Sequence, residues 1–298
     1  MSTDKTFETF GSLIMILTGI FGVIVNVYVV FRVKKLKIFN EGFTNICVSQ
    51  TWANVGNAVT FGFLVAVITL VNPSFHDTYL GKRCAQILMF FYYPNLVCRC
   101  IASINRFYCI YFPFKYETFF TVKLTNILIA GAWCVGFLQM LPYFHPQCIL
   151  QFDLNTLSYQ FGSTPCTPII ALYLDLYFNL AFIVVIACID LVTLWKARKL
   201  KKTMVLHKNS IKDIKLLFQV VTQASMSILE LLIYYFVPGY FDSKWIKFFT
   251  TTFCWQMLQT MDGMIVIFFN KELRTFPKMS FELKAIIRNK HYELSLGN

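Results

Sequence analysis

The stretch CAQILMFFYYPNLVCRCIASINRFYCIYFPFKYETFFTVK, residues 84–123, decides the fold. Its first part is mostly apolar with one charged residue, Arg99, and it ends at the triplet Asn105-Arg106-Phe107. At about 1.5 Å per residue, a helix places Arg106 about 33 Å along its axis from Cys84, which is close to the thickness of the apolar core of a bilayer. The stretch therefore predicts a membrane-spanning helix that begins at a cysteine, carries one buried base and ends in an exposed arginine.

The composition of the whole chain indicates that the bilayer is its solvent. Of the 298 residues, 57% are hydrophobic and 14% are charged, whereas a soluble domain carries about 25% charged residues. Apolar windows of about 20 residues recur along the chain and predict an all-α bundle of seven transmembrane helices. The net charge of +12 lies mainly in short loops between these windows, so we expect no nucleic-acid partner.

The apolar windows also set the expected limits of the spans. The seven spans are predicted at residues 10–31, 43–71, 84–108, 124–144, 168–195, 216–235 and 245–269. Residues 1–9 are then an extracellular amino terminus, residues 10–274 the membrane domain and residues 275–298 a cytoplasmic tail. The bases and apolar residues of the tail permit a short amphipathic helix on an anionic leaflet; a solvated face is the simpler interpretation of the same pattern.

The lysines and arginines of the loops predict the orientation. Twenty lie on one side of the bilayer and five on the other, and the side richer in bases faces the cytoplasm. The amino terminus is then outside and the carboxyl terminus inside. The densest basic segment joins spans five and six, and it begins with Lys196, Arg198, Lys199, Lys201 and Lys202.

Catalytic and metal-binding sites lack the residues they need. The four histidines are scattered over loops and tail, so neither a metal cluster nor a Ser-His-Asp arrangement is predicted. Cys98 and Cys100 flank Arg99, but residues two apart on a helix point to different sides, which favours packing over a metal pair. We expect no enzyme activity, no metal and no cofactor.

Ionisable residues inside membrane spans are costly and usually functional. This chain has six of them: Arg99, Arg106, Asp175, Asp190, Glu230 and Asp262. Asp175 and Glu230 each lie seven residues inside the outer end of a span, roughly 10 Å below the outer surface. We hypothesise an outward-facing pocket there, suited to a small ligand that carries a cation or hydrogen-bond donors. Its expected lining includes Tyr92, Asn95, Asp175, Tyr177, Glu230, Trp255 and Gln259. The alternative is that these groups bond only to neighbouring helices.

Two further polar features lie deeper in the predicted bundle. Arg99 and Asp262 share a depth in its inner half, and we hypothesise that they form an ion-pair latch between spans three and seven. Asn26 either holds spans one, two and seven together or makes a generic helix contact of the kind that small and amide residues support.

The loop between spans four and five, residues 145–167, mixes aromatic and polar residues and predicts a short hairpin that caps the bundle. Three cysteines lie outside, at Cys84, Cys148 and Cys166, and they allow three single pairings. We expect a disulfide between Cys84, at the outer end of span three, and Cys166. This bridge would tie the loop over the pocket, and Cys148 is the competing partner.

The order of these motifs resembles the rhodopsin-type receptor superfamily. The resemblance rests on the stretches Asn105-Arg106-Phe107, Phe112-Pro113-Phe114-Lys115-Tyr116, Asp262-Gly263-Met264-Ile265-Val266 and Asn270-Lys271-Glu272-Leu273-Arg274. The chain is most similar to nematode serpentine chemoreceptors of class x. It departs from the superfamily where Gly263 replaces a proline, where Val266 replaces a tyrosine, and where Asn54 is the nearest candidate for the usual acid of span two.

The resemblance implies a chemosensory receptor that binds a small extracellular ligand and signals to a cytoplasmic heterotrimeric G protein. It also implies the plasma membrane, and sensory cilia, as the location. By resemblance, Arg106 with Asn105 and Phe107 couples to the G protein, and the basic segment that begins at Lys196 is its partner surface. The alternative from another class is a seven-span channel or transporter that acts without a G protein; such proteins often carry repeated halves, and no internal repeat is found in the sequence.

Overall fold

The computed structural model describes residues 4–36, 40–203 and 208–274, and within them it describes the backbone alone for 200–203, 208–217 and 220. This part of the chain forms a bundle of membrane helices. We number its spans in chain order, and they are Lys5–Leu36, Glu41–Val71, Cys84–Tyr111, Val122–Met140, Pro168–Thr203, Lys208–Phe236 and Lys244–Phe269. The predicted helical class is confirmed.

Among the described residues, six helical segments are long and apolar enough to cross a membrane. Span seven, which carries Gln256, Gln259 and Asp262, is not one of the six. Span seven consists of an α-helix at Lys244–Phe248, a π-helical stretch at Phe249–Phe253 and an α-helix at Cys254–Phe269. π-helical stretches also lie in spans two and five, at Thr60–Val65 and Pro168–Tyr177.

Local sequence signals explain where several helices begin. The side chain of Asn40 accepts a hydrogen bond of 2.8 Å from the backbone N–H of Phe43 and caps span two. Thr121 caps span four in the same way through the N–H of Leu124. Several helices run past the predicted apolar windows, because charged residues continue a helix into water and the window marks the bilayer rather than the helix end.

Short elements connect the spans. 3₁₀ turns lie at Pro73–Asp77, Gly81–Arg83, Leu141–Phe144 and Pro238–Tyr240, and short α-helices lie at Pro113–Phe119 and Lys271–Arg274. The last helix is tied to span one, because the Tyr28 hydroxyl donates to the carbonyl of Leu273 at 2.5 Å and Arg32 donates to the carbonyl of Glu272 at 3.1 Å. The predicted amphipathic helix of residues 275–298 lies outside the described residues.

Glycines bring two pairs of spans into close contact. A Cβ atom added to Gly19 of span one would lie 2.7 Å from the Cα atom of Gly62 in span two. A Cβ atom on Gly263 would lie 2.8 Å from Oδ1 of Asn26. Where the resemblance led us to expect a proline, glycine therefore lets span seven approach the amide of span one.

The predicted hairpin is confirmed. Strands β1 (Leu150–Asp153) and β2 (Ser158–Phe161) pair antiparallel with Leu150 opposite Phe161. The hairpin lies against the outer end of the bundle: the Thr252 hydroxyl donates to the carbonyl of Leu157 at 2.7 Å, and that leucine is fully buried.

The predicted disulfide is wrong. Cys166 pairs with Cys148, with 5.0 Å between their Cα atoms, and Cys84 is a free, buried thiol. The hairpin register explains the choice, because the Gly162 N–H donates to the Ile149 carbonyl at 2.9 Å and brings the two flanks of the hairpin side by side. The bridge therefore closes the base of the hairpin instead of tying it to span three.

Candidate functional site

A small cavity of about 20 Å³ lies between spans three, five, six and seven, towards their outer ends. Its lining consists of Met89, Tyr92, Asp175, Asn179, Glu230, Leu231, Tyr234, Tyr235 and Trp255. A space of this size holds about one water molecule. The helices are therefore closed around the site.

Asp175 is the best-satisfied charge of the cavity. It is 8% exposed and accepts hydrogen bonds from the Tyr235 hydroxyl at 2.6 Å, the Asn179 amide at 2.7 Å and the Tyr93 hydroxyl at 3.4 Å. These donors come from spans three, five and six. Asp175 thus joins three helices at the level of the cavity.

Glu230 is the second acidic residue of the cavity, and it differs from Asp175 in its lack of bonding partners. It is also 8% exposed, yet within the described part of the chain its carboxylate has no hydrogen bond and no ion pair. Asp175, which also lines the cavity, adds a repulsive negative charge, and the attractive charge of Arg99 is already paired with Asp262. Glu230 is therefore an acidic group whose charged form lacks a stabilising partner in the cavity.

Aromatic rings form the rest of the wall. The Trp255 ring lies edge-on to Tyr92, with centroids 5.5 Å apart, and to Tyr234, with centroids 6.3 Å apart. The Trp255 indole N–H is buried with no acceptor among the described residues. Above the rings, the Tyr234 hydroxyl donates to the carbonyl of Tyr159 in the hairpin at 3.4 Å. The hairpin is therefore the roof of the cavity.

The structure places four of the seven predicted lining residues in this cavity: Tyr92, Asp175, Glu230 and Trp255. The prediction for Tyr177 is wrong, because that side chain is 51% exposed on the outer face of span five. Asn95 and Gln259 are buried in the bundle but lie outside the cavity lining. Asn179 and Tyr235 also line the cavity and were not predicted, although Asn179 follows Asp175 at the helical spacing of four residues.

Asn95 belongs instead to a polar cluster deeper in the bundle. Arg99 forms a salt bridge with Asp262 and donates a hydrogen bond to Ser227. Asn54 donates to the same carboxylate of Asp262 at 3.4 Å, and Asn95 donates to it at 3.5 Å. The hypothesised pairing of Arg99 with Asp262 is present, and it joins spans three and seven with span six through Ser227.

Asn26 extends this cluster to span one. It accepts a hydrogen bond from Asn54 at 3.4 Å and donates to the carbonyl of Gln259 at 3.2 Å. Of the two interpretations of Asn26, the one in which it holds spans one, two and seven together is confirmed. Cys98 and Cys100 lie in two different hydrophobic clusters, as expected for packing residues.

At the inner end, Arg106 is buried rather than exposed, so that expectation is wrong. It is 6% exposed, and its Cζ atom lies 5.1 Å from the ring centre of Phe43. Asn105 turns away from it and accepts a hydrogen bond from the Tyr116 hydroxyl at 3.1 Å. Phe107 stacks on Tyr111 with centroids 4.4 Å apart. The closed packing of the inner end covers the arginine.

Basic and apolar side chains surround this end. Lys196 lies 5.4 Å from the ring centre of Tyr111, and Lys199 lies 5.6 Å from that of Trp195. Phe114, in the short helix after span three, is 99% exposed, and no separate role was predicted for it. The structure places Arg198 at an exposed position, whereas the side chains of Lys201 and Lys202 lie outside the described residues.

Comparison with known proteins identifies the family. A family model described as "Serpentine type 7TM GPCR chemoreceptor Srx" matches residues 16–270. The chain belongs to this family. The resemblance inferred from the motifs of spans three and seven is thereby confirmed, and the Srx chain is a multi-pass membrane protein of the G-protein-coupled receptor class.

Individual relatives agree with the family assignment. Serpentine receptor class X 45 from Caenorhabditis elegans is 22% identical over 290 residues, which cover 90% of this Srx chain and 80% of that protein. Serpentine receptor class X-43 from the same organism is 24% identical over 284 residues, covering 90% and 85%. Octopamine receptor beta-2R from Drosophila melanogaster is 27% identical over 194 residues, covering 57% of this chain and 35% of that receptor.

Proposed function

We propose that this Srx receptor binds a small extracellular ligand carrying a positive charge in the cavity beside Glu230 and signals to a heterotrimeric G protein at the inner end of span three. The observation that carries the proposal is the carboxylate of Glu230, which is buried against aromatic rings and has no partner among the described residues. A buried charge without a partner is costly. A cationic ligand would remove that cost.

The walls of the cavity suit an organic cation. Aromatic faces attract a cation within about 6 Å of the ring centre, and Tyr92, Tyr234 and Trp255 surround the carboxylate side of the cavity. Asp175 is already held by three donors, so Glu230 is the group available to the ligand. The match to the octopamine receptor, which is named for an amine, agrees with this class of ligand.

The small size of the cavity links binding to a change of shape. Any amine larger than a water molecule needs the walls formed by spans five and six to move apart. A ligand that fits only the opened form shifts the population towards it. Opening is the event that a receptor can transmit along its helices.

The inner end supplies the surface for the G protein. Arg106 is covered in the closed structure, and by resemblance it is the residue that meets the G protein once span six moves outward. Lys196, Arg198 and Lys199 add positive charge beside it, and Phe114 offers an exposed apolar side chain. We place the amino terminus outside, the carboxyl terminus inside, and the receptor in the plasma membrane of sensory cilia.

The test is a screen of the full chain in cells, with second-messenger output measured for protonated amines and for uncharged molecules of the same shape. We expect activity among the amines. Glu230→Gln should lower the potency of an active amine about 10- to 100-fold, since a hydrogen bond to a charged group contributes about 1.5–3 kcal/mol. Tyr177→Phe, at an outward-facing position, is the control and should leave potency unchanged.

Two results would contradict the proposal. One is an active ligand whose potency is the same for Glu230→Gln and the unaltered receptor at equal surface level. The other is a response confined to uncharged molecules. Asp175→Asn is a useful companion, because it removes the charge that accepts two interhelical hydrogen bonds, from Tyr93 and Tyr235, and should reduce surface expression more than Glu230→Gln does.

A further inference from the structure

An apolar groove of about 500 Å³ lies between spans two and three, at the end of the bundle that carries the hairpin, and the proposed function gives it no role. Leu64, Val67 and Val71 of span two line one side, and Ile87 of span three lines the other. Val67, Val71 and Ile87 are exposed on the outside of the bundle, so the groove opens towards the bilayer. Its volume is in the usual range of small-molecule sites, about 300–1,000 Å³.

The loop between these spans closes the outer end of the groove. Phe75 and Leu80 from this loop belong to the lining. A Cβ atom on Gly81 would collide with the Phe75 carbonyl, so the loop folds back this tightly only with glycine at that position. The fold brings Arg83, which directly precedes span three, into the lining at the polar end of the groove.

Arg83 is held in place by its neighbours but has no counter-charge. Its Nη1 atom donates to the carbonyl of Tyr143, and its Cζ atom lies 4.2 Å from the ring centre of Tyr79 and 5.5 Å from that of Phe144. Its Nε atom has no acceptor, and no salt bridge joins Arg83 to an acid, within the described part of the chain. A guanidinium has five N–H donors. The groove therefore ends at a fixed cation with donors to spare.

We propose that the groove binds one acyl chain of a phospholipid, and that the phosphate of the same lipid lies against the guanidinium of Arg83. Leu64 and Val71 are seven residues apart, so the apolar side extends about 10 Å along span two from the loop into the bilayer. A phospholipid has the matching order of groups, with a phosphate at the membrane surface and an acyl chain beneath it. Guanidinium and phosphate form charge-assisted hydrogen bonds, and the chain adds van der Waals contacts with the walls.

Other occupants match only part of this chemistry. An uncharged sterol or diacylglycerol would fill the groove and leave Arg83 without a counter-charge. Inorganic phosphate would meet Arg83 and leave the apolar walls bare. The proposal does not depend on the proposed function, because the groove shares no lining residue with the cavity beside Glu230.

The first experiment locates the lipid. The purified full chain in detergent is titrated with phosphatidylcholine that carries a photoreactive group on one acyl chain, and the labelled peptides are identified by mass spectrometry after illumination. We expect saturable labelling, concentrated in peptides that contain residues 64–71 and 80–87. Labelling that does not saturate and is spread evenly over the spans would overturn the proposal.

The second experiment tests the contact with the phosphate. Arg83→Gln should raise the lipid concentration at half-saturation about tenfold or more, because hydrogen bonds to a charged group are lost. Lys82→Gln removes the same charge from the preceding position, outside the lining, and is the matched control. Equal values for the two variants would overturn the role of Arg83. So would a photoreactive diacylglycerol with the same chains that labels the unaltered receptor at the same concentrations.

The third experiment tests the acyl-chain site with Arg83 intact. Val67→Trp places a large ring in the groove and should remove most of the labelling. Val184→Trp, at an exposed position of span five, is the control and should leave labelling unchanged. Labelling that is equal in the two tryptophan variants, or that inorganic phosphate displaces as well as unlabelled phosphatidylcholine does, would overturn the proposal.

Discussion

Asp262 is the residue on which the polar interior of the bundle converges. Its carboxylate meets Arg99, Asn54 and Asn95. A buried pair need not stabilise a fold more than well-packed apolar residues do, but removing one partner leaves an uncompensated charge. The pair is therefore better suited to holding spans three and seven in one register than to adding stability.

Breaking this pair should be costly. We predict that Asp262→Asn or Arg99→Gln lowers the free energy of unfolding by about 3–5 kcal/mol, measured as lower thermal stability and lower surface expression. The exchanged pair Arg99→Asp with Asp262→Arg should recover part of the loss. If the exchange recovers none of the surface expression lost in the single variants, the latch between these spans is wrong.

The disulfide between Cys148 and Cys166 gives a second prediction, on the stability of single cysteine variants. Cys148→Ser or Cys166→Ser should destabilise the receptor by about 2–4 kcal/mol, as expected for a loop of this length, and Cys84→Ser should have a smaller effect. Mass analysis of peptides from unreduced protein checks the pairing directly. A bridged peptide containing Cys84 would contradict the structure.

At the scale of elements, the contact between spans one and two depends on the absence of side chains. Gly19 faces Gly62, whereas a Cβ atom on Gly131 of span four would meet nothing within 4 Å. We predict that Gly19→Leu lowers stability by about 1–3 kcal/mol, because it forces the helices apart. The matched change Gly131→Leu should alter stability by less than about 0.5 kcal/mol. Equal thermal stability of the two variants would contradict the close approach.

The outer loop after span two contains a buried, titratable group. His76 is 1% exposed, its Nε2 atom lies 2.9 Å from the Thr69 hydroxyl, and its ring centre lies 4.9 Å from that of Phe152 in the hairpin. Burial lowers the pKa of His76 from 6.5 to about 4, and the nearby charge of Asp77 opposes the shift. The folded loop therefore holds the neutral ring.

This pKa predicts the direction of a pH effect. Because the pKa is lower in the folded chain than in the unfolded one, the neutral ring contributes its full stability above pH 6.5, and the contribution is lost as the pH falls towards 4. We expect the free energy of unfolding to fall over this range by at most about 1.4 kcal/mol per pH unit, measured as a falling unfolding temperature. His76→Gln should flatten the slope, and an unchanged slope would contradict the assignment.

The whole molecule shows which features a sequence reveals. Apolar windows, basic loops and the ordered motifs of spans three and seven predicted the helical class and the family, because each is a local pattern. The hairpin was predicted from the composition of one loop. These features need no knowledge of which distant residues meet.

Features that depend on distant contacts were harder to predict. The choice of Cys148 over Cys84 follows from the hairpin register, and the exposure of Tyr177 follows from the rotation of span five. Arg106 was expected to be exposed because it lies at a span end, whereas it is buried against the ring of Phe43 from span two. Such outcomes are set by packing between helices, which a single helix's sequence does not encode.

The central claim is that binding of a charged ligand in the outer cavity activates a G protein that contacts Arg106 at the inner end. The most direct measurement is energy transfer between the labelled receptor and labelled G-protein subunits in cells, recorded on addition of an active amine at matched surface levels of the unaltered chain and Arg106→Ala. The account predicts a ligand-dependent signal in the unaltered chain that is lost in Arg106→Ala while ligand binding is retained. An equal signal in both, or an ion current evoked by the amine without any G protein, would contradict it.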